Sequence, residues 1–172
     1  YKANDGKVDS NTSTVTVTVN AVNDAPTTID VSAEMDENLS MGRIVAITLE
    51  GNDVDGDNLT YSIVSTPSNG SLSAISGNTV NYTPNQDWNG VDTFNYNASD
   101  GSVVSNTSTV TVTVNAVNDA PTTNDITTST NEDVAKNITL NVSDVDTGDT
   151  LSYSIVTNPS NGAITIIPST MM

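Results

Sequence analysis

The sequence predicts an all-β protein made of tandem seven-stranded, immunoglobulin-like Greek-key sandwiches, one complete and two partial. Three observations lead to this fold class. The chain is rich in Val, Ile and Thr, which favour strands. Val110, Val112 and Val114 alternate with threonines, so that valines occupy one face of a strand and threonines the other. Finally, residues 13–28 recur residue for residue as residues 108–123.

The duplication defines the domain organisation. Pro26 and Pro121 lie 95 residues apart, and a fixed period of domain size is typical of an array of similar modules. Residues 24–118 are expected to form one complete repeat. Residues 1–23 are expected to supply the last two strands of a preceding repeat, and residues 119–172 the first four strands of a following one.

Within the complete repeat, alternating apolar residues indicate short strands separated by turns rich in Gly, Pro, Asn and Ser. A first strand is expected near residues 29–33, and seven short antiparallel strands in about 95 residues suit an immunoglobulin-like sandwich. The alternating segments of the complete repeat are residues 45–49, 59–63, 80–82, 94–98 and 110–114. In the following repeat, residues 151–156 are similar in sequence to the third of the expected strands, near residues 59–63.

Net charge limits the possible partners. Four basic residues face 21 acidic ones, which gives a formal charge of −17. A polyanion is repelled by nucleic acid and by anionic lipid, and no apolar run is long enough to span a bilayer, so we expect neither nucleic acid binding nor membrane insertion. The chain has no His and no Cys, and therefore offers no plausible nucleophile and base for an enzyme.

Two acidic loops carry the strongest chemical signal. Asp53-Val54-Asp55-Gly56-Asp57 and Asp144-Val145-Asp146-Thr147-Gly148-Asp149 place alternating carboxylates on a glycine-containing loop. Carboxylate, carbonyl and water oxygens are the ligands that Ca²⁺ prefers, so the loops predict calcium sites. The alternative is that these acids only keep the surface soluble.

Strand parity indicates which other residues join each loop. Seven alternating strands bring the linker before a repeat, its second-to-third-strand loop and its last loop to the same pole. Asp57 and Asp149 are expected only to cap their loops. At the first junction the predicted ligands are Asn23, Asp24, Asp53, Asp55 and Asp100, and at the second they are Glu37, Asn118, Asp119, Asp144 and Asp146.

Several of these motifs together resemble a known family. Asp53-Val54-Asp55, Leu59-Thr60-Tyr61-Ser62-Ile63 and the linker Asn23-Asp24-Ala25-Pro26 resemble cadherin motifs, and Trp88-Asn89-Gly90 is similar to bacterial cadherin-like tandem repeats. The resemblance implies Ca²⁺-rigidified, seven-stranded modules in large surface or secreted proteins, many of them adhesins. The linker is shorter than in animal cadherins, and Asn85-Gln86-Asp87 replaces an acidic motif, so fewer ions per junction are expected.

These observations favour a structural, non-catalytic function: a calcium-stiffened segment of an extracellular bacterial adhesin or surface stalk. Expected partners are neighbouring repeats of the same chain, with other copies or a cell-surface ligand as further possibilities. Two alternatives remain open at this point. The chain could be the subunit of an extracellular fibre that assembles by strand complementation, or a spacer in a secreted multidomain enzyme.

Overall fold

The computed structural model describes residues 1–37 and 43–167, and within these ranges the chain forms strands, turns and irregular segments but no helix. The predicted all-β class is thus confirmed. In chain order the strands are β1 (Thr27–Thr28), β2 (Val31–Asp36), β3 (Val45–Thr48), β4 (Gly51–Asn52), β5 (Thr60–Ser65), β6 (Gly70–Leu72), β7 (Thr79–Pro84), β8 (Gly90–Ser99), β9 (Ser108–Asn115), β10 (Thr122–Thr123) and β11 (Val142–Ser143).

Two sheets form an immunoglobulin-like sandwich between residues 27 and 115. The larger sheet has the strand order β2-β9-β8-β5, and the smaller one has the order β3-β7-β6. The long antiparallel pair at the centre of the larger sheet runs from Gly90 opposite Val114 to Tyr96 opposite Ser108. The short strands β1 and β4 pair separately, at the end where the linker enters.

Alternation along the strands builds the core. In β9 every second residue is buried, and these residues are Ser108 and the three valines that the sequence places on one face. The intervening threonines are half-buried on the opposite face, because successive side chains of a strand point to opposite sides. Each fully buried Val, Ile or Phe contributes about 1.5–3 kcal/mol. The buried apolar side chains are Met35, Ile47, Leu49, Val80, Tyr82, Phe94, Tyr96, Ala98, Val110, Val112 and Val114.

One strand pair corrects the expectation that all strands are antiparallel. Strand β2 pairs with β9 in parallel, with Val31 opposite Val110 and Asp36 opposite Asn115. These are the first and last of the seven main strands, and strands that alternate in direction give the first and the seventh the same direction. When the two become neighbours in one sheet, they can only be parallel.

Residues 13–20 have the same sequence as β9 but a different structure. They form no strand, and Val15, Val17 and Val19 are 68%, 77% and 89% exposed, although the equivalent valines of β9 are at most 2% exposed. Strand β9 is held on one side by β2 and on the other by β8. A strand therefore depends on its neighbours as well as on its sequence, and the assignment of residues 1–23 to a preceding repeat stays a prediction.

Between residues 119 and 167, the chain reproduces only the short strand pair at the entry of the repeat. Strand β10 pairs with β11 as β1 pairs with β4, with Thr122 opposite Ser143. Residues 151–156, for which the sequence predicts a strand, form none. The equivalent strand β5 is held by its pairing with β8.

A buried carboxylate fixes the turn between β5 and β6. Asp92 is 4% exposed and accepts hydrogen bonds from the backbone N–H groups of Ser68 (3.1 Å) and Asn69 (2.8 Å) and from the hydroxyl of Tyr82 (3.0 Å). Burial, and then the neighbouring carboxylate, raises the pKa of Tyr82 well above its usual range. The turn, β7 and β8 are thereby joined by one side chain.

Gly70 follows this turn and lies against the Tyr82 ring, where an added Cβ would be 2.5 Å from ring carbons. Because Tyr82 is fully buried, the ring has little room to move. We predict that Gly70→Ala destabilises the fold by about 1–3 kcal/mol, as overpacking does, measured by urea denaturation.

Gly162 is the matched control, because it ends the same Pro-Ser-Asn-Gly sequence and a Cβ there would meet no atom within 4 Å. Gly162→Ala should change stability by no more than about 0.5 kcal/mol. Equal effects of the two substitutions would contradict the close contact between Gly70 and Tyr82.

Candidate metal centres at the linkers

The linker enters the sandwich at a fixed position. Pro26 is fully buried. Two residues later, the backbone N–H of Thr28 donates to the Asn106 side-chain oxygen (2.9 Å), and the Asn106 amide donates back to the Thr28 carbonyl oxygen (2.9 Å). The Thr28 hydroxyl also donates to the Asn106 carbonyl oxygen (2.9 Å). These bonds tie the chain after the linker to the loop between β8 and β9, and sequence analysis did not identify Asn106.

Asp53 organises the acidic loop between β4 and β5. Its Oδ1 atom accepts the backbone N–H of Asp55 at 2.8 Å and, more weakly, that of Asp57 at 3.4 Å. Gly56 follows with a φ of +81°, a conformation that glycine adopts without strain. The Oδ2 atom of Asp53 is buried and has no hydrogen-bond partner, which leaves one carboxylate oxygen available for a cation.

The linker contacts this loop and the loop after β8 directly. The backbone N–H of Asp24 donates to Asp55 Oδ2 at 2.7 Å. The side-chain amide of Asn23 donates to Asp100 Oδ2 at 2.9 Å and to the Asp24 carbonyl oxygen at 3.0 Å. The structure thus brings the predicted residues of the first junction to one pole of the sandwich.

Asp100 is oriented by its own loop. Its Oδ1 atom accepts the backbone N–H groups of Ser102 and Val103, both at 2.6 Å. The hydrogen bond from Asn23 and then these two N–H groups lower the pKa of Asp100 below its ordinary value. Asp5 lies one period earlier and accepts the N–H groups of the two equivalent positions, which lower its pKa in the same way.

The second junction repeats three contacts of the first. The backbone N–H of Asp119 donates to Asp146 Oδ2 at 2.6 Å, and that of Asp146 donates to Asp144 Oδ1 at 3.0 Å. The side-chain amide of Asn118 donates to the Asp119 carbonyl oxygen at 2.8 Å, as Asn23 does to Asp24. Here the buried oxygen without a hydrogen-bond partner is Asp119 Oδ2.

Glu37 lies beside the second junction but contacts different groups. Its side chain is 2% exposed and accepts the backbone N–H of Val117 at 2.8 Å and, at 3.4 Å, the amide of Asn89. It therefore holds the residue before Asn118, because its two carboxylate oxygens accept hydrogen bonds from Val117 and Asn89. Asn89 is a second partner that sequence analysis did not identify.

Both junctions supply the hard oxygen atoms that Ca²⁺ prefers, including one buried carboxylate oxygen each without a hydrogen bond. Across residues 1–37 and 43–167, no three acidic, His or Cys side chains already lie together as a metal-binding group. At the pole of each junction, carboxylates are instead engaged by backbone N–H groups of the linker and the loop.

A two-sheet sandwich whose acidic side chains cap turns and hold linkers defines a structural immunoglobulin-like module. A family model described as "Bacterial Ig domain" matches residues 23–113, which is more than half of the chain, and the chain belongs to this family. Such domains are typically non-catalytic and are common in surface or secreted proteins. Within the described residues, none of the elements is a helix capable of crossing a membrane.

Among solved structures, the chain is similar to an endo-fucoidan hydrolase from glycoside hydrolase family 107, at 23% identity and a TM-score of 0.41, over 58% of this chain and 15% of the hydrolase. A single-substitution variant of that hydrolase gives 23% identity and a TM-score of 0.42, over 67% of this chain and 18% of the variant. The chain thus spans less than a fifth of the length of these enzymes. No curated protein matches the chain.

The hydrogen bond between Asn23 and Asp100 predicts a local change in acidity. We expect Asn23→Ala to raise the pKa of Asp100 towards its ordinary value, because the largest cause of the lowered pKa is removed. The contribution of this bond is present above the ordinary carboxyl pKa and is lost as pH falls through the lowered one. NMR titration of the side-chain carboxyl carbons measures both.

Asp5 is the internal control, because its pKa is lowered by backbone N–H groups of its own loop and not by Asn23. Its titration should be the same in the variant and the parent chain. An unchanged Asp100 titration in Asn23→Ala would show that the linker does not hold this carboxylate in solution.

Proposed function

We propose that this chain is a calcium-stiffened repeat segment of an extracellular bacterial adhesin or surface stalk. The observation that carries the proposal is that a linker Asn-Asp pair is set against an acidic loop at both junctions. Each junction also has one buried carboxylate oxygen without a hydrogen-bond partner, on the loop at Asp53 in the first and on the linker at Asp119 in the second. Acidic loops that only kept the surface soluble would not need to contact the linker in the same way at both junctions.

Electrostatics supplies the physical reason for a cation. The net charge is −17, and several carboxylates lie around each linker, where they repel one another. Bringing them together costs free energy that a divalent cation offsets, because its charge is often the largest in such a site. Without the cation the repeats bend relative to one another, and with it they form a stiff rod.

The proposed ligands follow from the contacts. At the first junction, Asp53 supplies its free oxygen, and Asn23, Asp24, Asp55 and Asp100 provide the remaining oxygen atoms. At the second junction, Asp119 supplies the free oxygen. The other proposed ligands there are Asn118, Asp144 and Asp146, with Glu37 acting from the end of β2.

The resemblance to cadherin-like repeats agrees with this proposal, as does membership of a family common in surface and secreted proteins. Extracellular calcium modules bind at roughly 10⁻⁴ to 10⁻³ M. A site of that affinity fills outside the cell and stays empty inside it, so that the stalk stiffens after export. Its partners are the neighbouring repeats and a ligand on the surface to which the adhesin attaches.

Thermal unfolding of the chain with Ca²⁺ and with a chelator tests the proposal. A ligand that binds only the folded state at a hundred times its Kd stabilises that state by about 2.7 kcal/mol, which raises Tm. We predict that Asp53→Asn removes most of this rise at the first junction, because it neutralises the carboxylate with the free oxygen. Calorimetric titration with Ca²⁺ should show the matching loss of affinity.

Asp57→Asn is the matched control, because it makes the same charge change in the same loop at a residue expected only to cap it. This variant should keep most of the Ca²⁺-dependent rise in Tm. If Tm of the parent chain does not respond to Ca²⁺ at millimolar concentration, the calcium proposal is wrong.

A further inference from the structure

Two of the proposed ligands, the carboxylates of Asp55 and Asp146, accept hydrogen bonds from the linker backbone. Asp55 and Asp146 each direct Oδ2 at a backbone N–H of the linker, that of Asp24 at 2.7 Å and that of Asp119 at 2.6 Å. By contrast, the buried oxygens without a partner belong to Asp53 and Asp119. The oxygens at each junction thus divide into those that hold the linker and those that are free.

The contact recurs at both junctions, where the linker Asn-Asp-Ala-Pro and the Asp-Val-Asp of the loop are the same but the spacing between them differs. The donor and acceptor are 31 residues apart at the first junction and 27 at the second. The loops differ as well, because Asp55 is followed by Gly56, whereas Asp146 is followed by Thr147 and then Gly148. The linker N–H nevertheless donates to the second Asp of the loop in both places, so the contact tolerates a difference of four residues in spacing and a different loop turn.

Hydrogen bonds of the surrounding protein groups favour the contact. In each loop the second acid is itself held by the first, through the N–H of Asp55 to Asp53 Oδ1 and that of Asp146 to Asp144 Oδ1. The linker Asn amide bonds to the carbonyl oxygen of the following Asp, which orients the peptide units on either side of the donating N–H. A hydrogen bond from an N–H to an ionised carboxylate is also stronger than one between neutral groups.

We propose that Asp55 and Asp146 are positioning residues that latch the linker to the next repeat through the backbone N–H of Asp24 and of Asp119, independently of metal. The latch sets the direction in which each repeat leaves the linker, and a cation then binds to ligands that already lie near their final positions. This inference deepens the proposed function, because it concerns the same junctions and assigns two of their carboxylates a separate task.

Amide hydrogen exchange of the full chain in a chelator tests the latch without any contribution from calcium. In Asp55→Ala the N–H of Asp24 loses its acceptor, and we expect it to exchange about tenfold faster. Asp55→Asn removes the charge but keeps a side-chain oxygen as acceptor, so most of the protection should remain. Rescue by Asn distinguishes a hydrogen-bonding role from a role of negative charge alone.

Asp146→Ala and Asp146→Asn make the same comparison at Asp119, where the contact is shorter and partly buried, so a larger loss is expected. Asp57→Ala and Asp149→Ala are the controls, and exchange of β9 amides reports any change in global stability. Asp24 and Asp119 amides that exchange equally fast in the Ala variants and the parent chain would overturn the latch.

Titration of the same variants with Ca²⁺ separates the two proposals. If the chelator experiment shows protection that depends on Asp55 but the chain binds no Ca²⁺, the latch stands and the calcium proposal fails. If Ca²⁺ binds and raises Tm while the Asp24 amide is unprotected in chelator, the calcium proposal stands and the latch is wrong.

Discussion

The convergence of the linker with two acidic loops at one pole of the sandwich is the constraint on which the candidate site depends. The odd number of strands in the sandwich carries the chain from one pole to the other, so each repeat must present its linker, its acidic loop and its last loop together. At the first junction this places Asp24, Asp55 and Asp100 at one pole. Backbone N–H groups and the Asn23 amide stabilise the ionised carboxylates, and in the function that we propose a divalent cation offsets their remaining repulsion.

Strand formation follows a second rule, which residues 13–20 and 108–115 illustrate with identical sequence. The alternation of valine and threonine predicts a strand in both places, yet only residues 108–115 lie between two neighbouring strands, β2 and β8. The buried valines of β9 face Ile47, Val80 and Tyr82 across the core. Hydrophobic periodicity therefore predicts which face a strand would bury, but the strand forms only where neighbouring strands supply its backbone hydrogen bonds.

Much of the fold and part of the site could be predicted from the sequence, because both depend on patterns of residue type and on strand parity. Parity predicted that Asn23 and Asp100 converge, and their side chains lie 2.9 Å apart. It did not identify Asn106 or Asp92, because their roles depend on hydrogen bonds between segments that are far apart in the chain. The separation of 78 residues between Thr28 and Asn106 leaves no local signal.

Small-angle X-ray scattering of the chain in Ca²⁺ and in chelator, at matched ionic strength, tests the central claim most directly. Calcium-stiffened junctions predict a larger and better defined maximum dimension in Ca²⁺, and a broader distance distribution in chelator. Na⁺ at equal ionic strength should not reproduce the change, because screening alone does not join ligands from the linker and the loops. Identical scattering profiles in Ca²⁺ and chelator would contradict the account.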